Sequence, residues 1–143
     1  MILVSACLAG FNCRYNGSNK ENNKVIELVK NGKAIPICPE QLAGLPTPRK
    51  PVEGLINDKV YSEDGEDFTD IFLQGAKATL KLCKKYNIKK AILKSYSPSC
   101  GSEKIYNGKF DGTLTDGYGV TAKLLLENGI EIFTENDLDK IEF

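Results

Sequence analysis

The stretch AILKSYSPSCGSEK, residues 91–104, joins an aliphatic triplet to a turn in which Cys100 is followed by glycine and closely preceded by proline. Consecutive aliphatic residues bounded by polar ones read as a short buried strand, and Pro98 and Gly101 mark a stiff turn just past its end. A cysteine that only fills a core sits inside a helix or strand. Cys100 instead stands where a side chain is aimed at something. Three other apolar runs, 2–4, 34–37 and 130–133, have the same character.

Helical patterns lie between these runs. Residues 22–30 place Val25, Ile26 and Val29 on one face, with Gly32 as a stop. From Asp67, a candidate N-cap, apolar residues recur at three-to-four spacing through Phe68, Ile71, Phe72, Gly75, Thr79 and Cys83 to Tyr86. A third helix spans 118–127 and ends at Asn128-Gly129. Strands alternating with helices predict right-handed β-α-β units. The expected fold is therefore a single Rossmann-like α/β domain over residues 1–143, with a mainly parallel sheet and helices on both faces. Residues 46–65 are turn-rich and predict a small hairpin insertion around Asn57-Asp58. Residues 97–117 have no clear periodicity and read as a long loop, which in a compact domain is more often functional than idle.

The composition excludes several classes. With 19 basic and 19 acidic residues the formal net charge is zero, which argues against nucleic acid as a partner. No apolar run approaches the ~20 residues that cross a bilayer. The N-terminus lacks a basic segment before its apolar residues, so it reads as a first strand rather than a signal peptide, and the protein is expected in the cytoplasm. Monomer and dimer alike fit the sequence. There is no histidine, which removes every imidazole base and every His-containing metal site. Five cysteines in a reducing compartment point to metal or redox chemistry rather than disulfides.

Cys7, Cys38 and Cys100 each follow a predicted strand. In an open parallel sheet, ligands bind beyond the carboxyl ends of the strands, so these three thiols are expected to face one crevice. Cys83, on the apolar face of the long helix, reads as core. Cys13, in NCRYNG, divides evenly between packing and the site. Three thiolates without histidine suit zinc completed by Cys13 or a carboxylate. They equally suit an iron–sulfur cluster that leaves one iron open. A persulfide carried on Cys100 is a third reading. Spacing does not choose among them.

Four longer motifs narrow the field: SACLAGFNCRYNG, PICPEQLAGLPTPRKPVE, AILKSYSPSCGSEKIYNGKFDG and GYGVTAKLLLENGIEIFTEND. Together, and in order over essentially the whole chain, they resemble the thiouracil desulfidase (TudS) family, formerly a domain of unknown function. The resemblance implies an α/β domain with a [4Fe–4S] cluster on three cysteines, matched here by Cys7, Cys38 and Cys100. It also implies that the open iron takes the sulfur of a thiolated pyrimidine, which is hydrolysed without redox change to the oxo form with release of sulfide. The family's catalytic glutamate matches Glu40 and its active-site serine Ser97. A free thiouracil and 4-thiouridine 5′-monophosphate both fit as substrate. The only two arginines, Arg14 and Arg49, lie in turn-rich segments near the expected crevice. Each suits a substrate phosphate or, equally, a structural pair with a carboxylate such as Glu53. The helix start at Gly117-Tyr118-Gly119 is a second candidate anion site.

Overall fold

The computed structural model describes residues 1–54 and 59–142. Strand β1 (Ile2–Ser5) runs into a 3-10 turn (Ala6–Ala9), then helix α1 (Asn23–Lys30), strand β2 (Ala34–Ile37) and a one-turn helix α2 (Pro39–Leu42). Strands β3 (Val52–Gly54) and β4 (Val60–Ser62) precede the long helix α3 (Thr69–Lys85) and strand β5 (Lys90–Leu93). Strands β6 (Lys104–Tyr106) and β7 (Leu114–Asp116), helix α4 (Val120–Glu127), strand β8 (Glu131–Thr134) and a second 3-10 turn (Leu138–Lys140) complete the order. The main sheet is parallel, in the order β2-β1-β5-β8. The chain therefore lays β2 on one side of β1 and returns to lay β5 on the other, which makes the gap beyond β1 and β5 the topological switch point.

Alternation along β1 builds two cores. Ile2 and Val4 pack with Val25 of α1 on one face, while Leu3 packs with Cys83 of α3 and with Ala122 and Leu125 of α4 on the other. Helices thus cover both faces, as the parallel pairing requires. Asn22 caps α1, its side chain accepting from the N–H groups of Lys24 and Val25. Cys83 is core, as expected, and burial pushes its thiol up to about 11. No helix among the described residues is long and apolar enough to cross a membrane.

Three expectations change. Asp67 does not cap α3 directly: the capping position is Phe68, and the Asp67 carboxylate accepts from the N–H of Thr69 at 2.8 Å in a turn just before the helix. Residues 97–117 are not simply loop, because β6 and β7 pair as an antiparallel hairpin. Its three-residue strands bury only Ile105 between exposed Lys104 and Tyr106, too few residues to show a period. The third helix starts at Val120 rather than Tyr118. The hairpin insertion exists as the antiparallel pair β3–β4, and its expected turn at Asn57-Asp58 lies outside the described residues.

Helix α3 lies directly against α2. A Cβ built on Gly75 would stand 2.2 Å from the Pro39 carbonyl oxygen and 3.3 Å from the Ala43 Cβ. Two backbones meet there, so neither side gives cheaply. Gly75→Ala is expected to lower stability by about 1–3 kcal/mol through overpacking, despite alanine's better helix propensity. Thermal unfolding checks this, and a raised midpoint would show that α2 is free to move away.

Candidate active site

The three strand-end cysteines meet in one cavity. Cys7 lies in the 3-10 turn after β1, Cys38 between β2 and α2, and Cys100 in the turn after β5; all three line a space of about 490 Å³. Glu40, Ser97, Arg14 and Arg49 line it too, and so does Cys13. The seven residues expected as cluster ligands, acid–base groups and phosphate-binding arginines are therefore brought to one place. Aromatic side chains, among them Phe68, Phe72 and Phe110, supply much of the wall.

Three of the cavity thiols, Cys13, Cys38 and Cys100, are held above the usual thiol range. For Cys13, a hydrogen bond with Cys38 lowers the pKa, but the bond to Cys7 and burial outweigh it and leave the thiol at about 11. The same bond with Cys13, followed by burial, pushes Cys38 far up, and burial pushes Cys100 up to about 12. Cys7, Cys13, Cys38 and Cys100 at one end of the sheet form a soft sulfur donor set, which binds a metal on losing its protons. Among the described residues no three Cys, Asp or Glu side chains are grouped as a site for a single metal ion. Cys7, Cys38 and Cys100 around one cavity match in number the three thiolates that would hold a cluster with one iron open.

The Cys100 turn is held from two directions. Ser97 Oγ accepts the N–H groups of Ser99 and Cys100 at 3.1 and 3.0 Å, which leaves its own proton free to donate. The residue before it, Tyr96, takes a left-handed φ of 67°, unusual for an aromatic side chain. From the other side, the start of α4 closes on the turn. The N–H of Val120 donates to Pro98, those of Thr121 and Ala122 to Ser99, and that of Gly119 to Gly101, at 2.7–3.1 Å. These groups are spent on the protein, so the anion site expected at Gly117-Tyr118-Gly119 is not formed.

Glu40 occupies the first turn of α2, where Pro39 suits the first helical position. Its partner is Arg49, whose Nε lies 2.8 Å from Glu40 Oε2 and whose Nη2 donates to the same oxygen. The alternative partner Glu53 is engaged elsewhere: its Oε1 accepts the N–H groups of Gly108 and Phe110 and so ties the β3–β4 hairpin to the β6–β7 loop. Arg49 also donates through Nη1 to Thr47 Oγ1 and the Pro46 carbonyl, and through Nη2 to the Cys13 carbonyl. A guanidinium has five N–H groups, and these acceptors take all five. Arg49 accordingly has no donor left for a phosphate.

One half-buried ion pair was not expected from the sequence. Lys94 Nζ lies 2.9 Å from Glu135 Oε2, and Glu135 also accepts from the Ser95 N–H and hydroxyl at 2.9 Å each. Lys94 and Glu135 immediately follow adjacent parallel strands. The strand-end rule that picked out the cysteines applies to them equally. Lys94 Nζ spends its other donors on the Ser95 carbonyl and hydroxyl.

An α/β domain with a thiol- and carboxylate-lined cavity at its switch point defines a class of cysteine-ligand enzyme domain. The 2-thiouracil desulfurase family matches residues 2–137, and the chain belongs to that family. Over 99% of both chains it is 45% identical to the uncharacterized protein YbbK of Bacillus subtilis strain 168. It is also 45% identical to a solved structure described as the [4Fe–4S]-dependent thiouracil desulfidase TudS. That match covers 97% of this chain and 93% of the other, with a TM-score of 0.92.

The close approach of α4 to the cysteine turn generates a test. A Cβ on Gly119 would lie 2.4 Å from the Ser99 carbonyl carbon and 2.8 Å from the Cys100 nitrogen. The φ of Gly119 is −62°, which any residue adopts, so only the contact matters. Gly119→Ala is expected to cost about 1–3 kcal/mol and to speed maleimide labelling of Cys100 in the metal-free chain. Labelling at the wild-type rate would show that this contact does not fix the turn.

Proposed function

We propose that this chain is a [4Fe–4S]-dependent desulfidase that hydrolyses thiouracil-type pyrimidines to their oxo forms. The observation that supports it most is the convergence of Cys7, Cys38 and Cys100 with Glu40 in one cavity, in a chain 45% identical to a [4Fe–4S]-dependent thiouracil desulfidase. Cys7, Cys38 and Cys100 would hold the cluster. When bound, the cluster supplies an open iron, a soft Lewis acid matched to a thiocarbonyl sulfur. A C=S group and water become a C=O group and hydrogen sulfide with no net electron transfer, so no redox partner is required.

The chain's own groups move the protons. Glu40 accepts the proton of the attacking water, the task histidine often performs elsewhere. Ser97, whose oxygen already accepts two N–H groups, donates its hydroxyl proton outward and relays a proton in the reaction. Cys100 is a poor candidate for a persulfide carrier, because a buried thiol at about 12 is neutral and weakly nucleophilic at neutral pH.

Substrate phosphate falls to Arg14. Of the cations lining the cavity, Arg49 and Lys94 are saturated and Lys50 pairs with Asp64 and Glu66. Arg14 has only Ser18 Oγ at 3.4 Å and the face of Tyr15, and among the described residues no carboxylate partner. The preferred substrate is thus a nucleoside monophosphate such as 4-thiouridine 5′-monophosphate, handled in the cytoplasm, where thiols stay reduced.

Purification without oxygen, followed by iron and acid-labile sulfide analysis, tests the cofactor. About four of each per chain are expected. Ser in place of Cys7, Cys38 or Cys100 is expected to strip the iron, while Cys83→Ser retains it. Zinc alone, after anaerobic reconstitution with iron and sulfide, would overturn the reading. With the cluster in place, Glu40→Gln is expected to lower kcat by about 10²–10⁴-fold on 2-thiouracil with iron retained. Arg14→Gln is expected to raise KM for the nucleotide and leave the free base unaffected.

A further inference from the structure

The Arg49 side chain is 8% exposed and that of Glu40 14%, so the pair is close to fully desolvated. Both Arg49 contacts fall on a single oxygen, Oε2. Glu40 Oε1 accepts no hydrogen bond among the described residues. None of their buried side-chain oxygens lacks a partner, so Oε1 opens to accessible space, and the space Glu40 lines is the cavity. One oxygen is clamped and the other presented.

Arg49 is itself immobilised at both ends. Its backbone N–H donates to the Tyr15 carbonyl at 2.7 Å, and its remaining donors reach Thr47, Pro46 and Cys13. The Cys13 carbonyl it bonds lies 3.8 Å from Cys38 Sγ. A single guanidinium thereby joins the Cys13 loop to the first turn of α2. A planar fork with five donors can do this; an ammonium cannot.

We propose that Arg49 is a positioning residue for the water-activating carboxylate: it fixes Glu40 through Oε2 so that Oε1 alone faces the reacting water. This rests on the desulfidase reading and on Glu40 as its base. It excludes Arg49 as a phosphate reader, since every donor is committed. A carboxylate released from the clamp would swing about its side-chain torsions, and a misplacement near 1 Å is enough to cost about 100-fold in rate.

A double-mutant cycle tests it. Wild type, Glu40→Gln, Arg49→Met and the double variant are loaded with iron and sulfide without oxygen. For each, kcat and KM on 2-thiouracil, iron content and the unfolding midpoint are measured. Arg49→Met is expected to lower kcat about 100-fold with KM and iron content near wild type. In the Glu40→Gln background it is expected to add almost nothing, because groups that act as a unit are not additive. A raised KM with kcat intact would overturn the proposal in favour of substrate binding. Loss of iron along with kcat would overturn it in favour of a role in building the cysteine cage, and full additivity would also overturn it. If Arg49→Met does not fold, Arg49→Lys enters the same cycle. Lowered kcat with non-additivity then supports the proposal, and wild-type kcat overturns it. A Glu40→Gln enzyme as fast as wild type would refute Glu40 as the base, an outcome read from that variant alone.

Discussion

Strand β1 must satisfy both of its edges and both of its faces from within the protein. Its backbone pairs with β2 on one side and β5 on the other, and Leu3 and Val4 are 1% and 0% exposed on opposite faces. A strand so enclosed tolerates no register slip, because a one-residue shift would exchange its two faces. With that register set, the carboxyl ends of β1, β2 and β5 lie side by side. Whatever residues follow them are forced into company, and in this chain those residues are cysteines. The site is a consequence of sheet order before it is a consequence of any particular contact.

Around this frame, the site is made rigid by backbone groups finding acceptors. The first N–H groups of a helix have no partner inside it. In α4 they are satisfied by carbonyls of the Cys100 turn, at a separation that only a missing side chain at position 119 allows. The opposite wall repeats the device, with α3 meeting α2 at Gly75. Two glycines thus set how near the helices approach the segments carrying Cys100 and Glu40. Preorganisation of this kind is paid for during folding and not at the moment of reaction.

Much of this was legible in the sequence. The four parallel strands announced themselves as apolar runs, and the rule that ligands gather beyond strand ends brought Cys7, Cys38 and Cys100 together. What escaped was short or relational. Helix α2 is four residues long and has no period to display. Hairpin β6–β7 buries too little to leave a pattern. The bond between Arg49 and Glu40 joins residues nine apart across a proline-rich turn, and nothing in the residue types distinguishes Glu40 from Glu53 as the partner. Lys94 and Glu135 were open to the strand-end rule, but lysine and glutamate are so common on surfaces that the rule was spent on rarer residues.

Glu53 links the β3–β4 hairpin to the loop of β6–β7 by accepting two N–H groups from it, and Phe110 of that loop walls the cavity. The two small hairpins therefore act as one tied rim around a recess of about 490 Å³. A recess of that size takes a base but not a stacked helix. One carboxylate therefore fixes the spacing of the two hairpins, and with it the width of the opening above the cysteines.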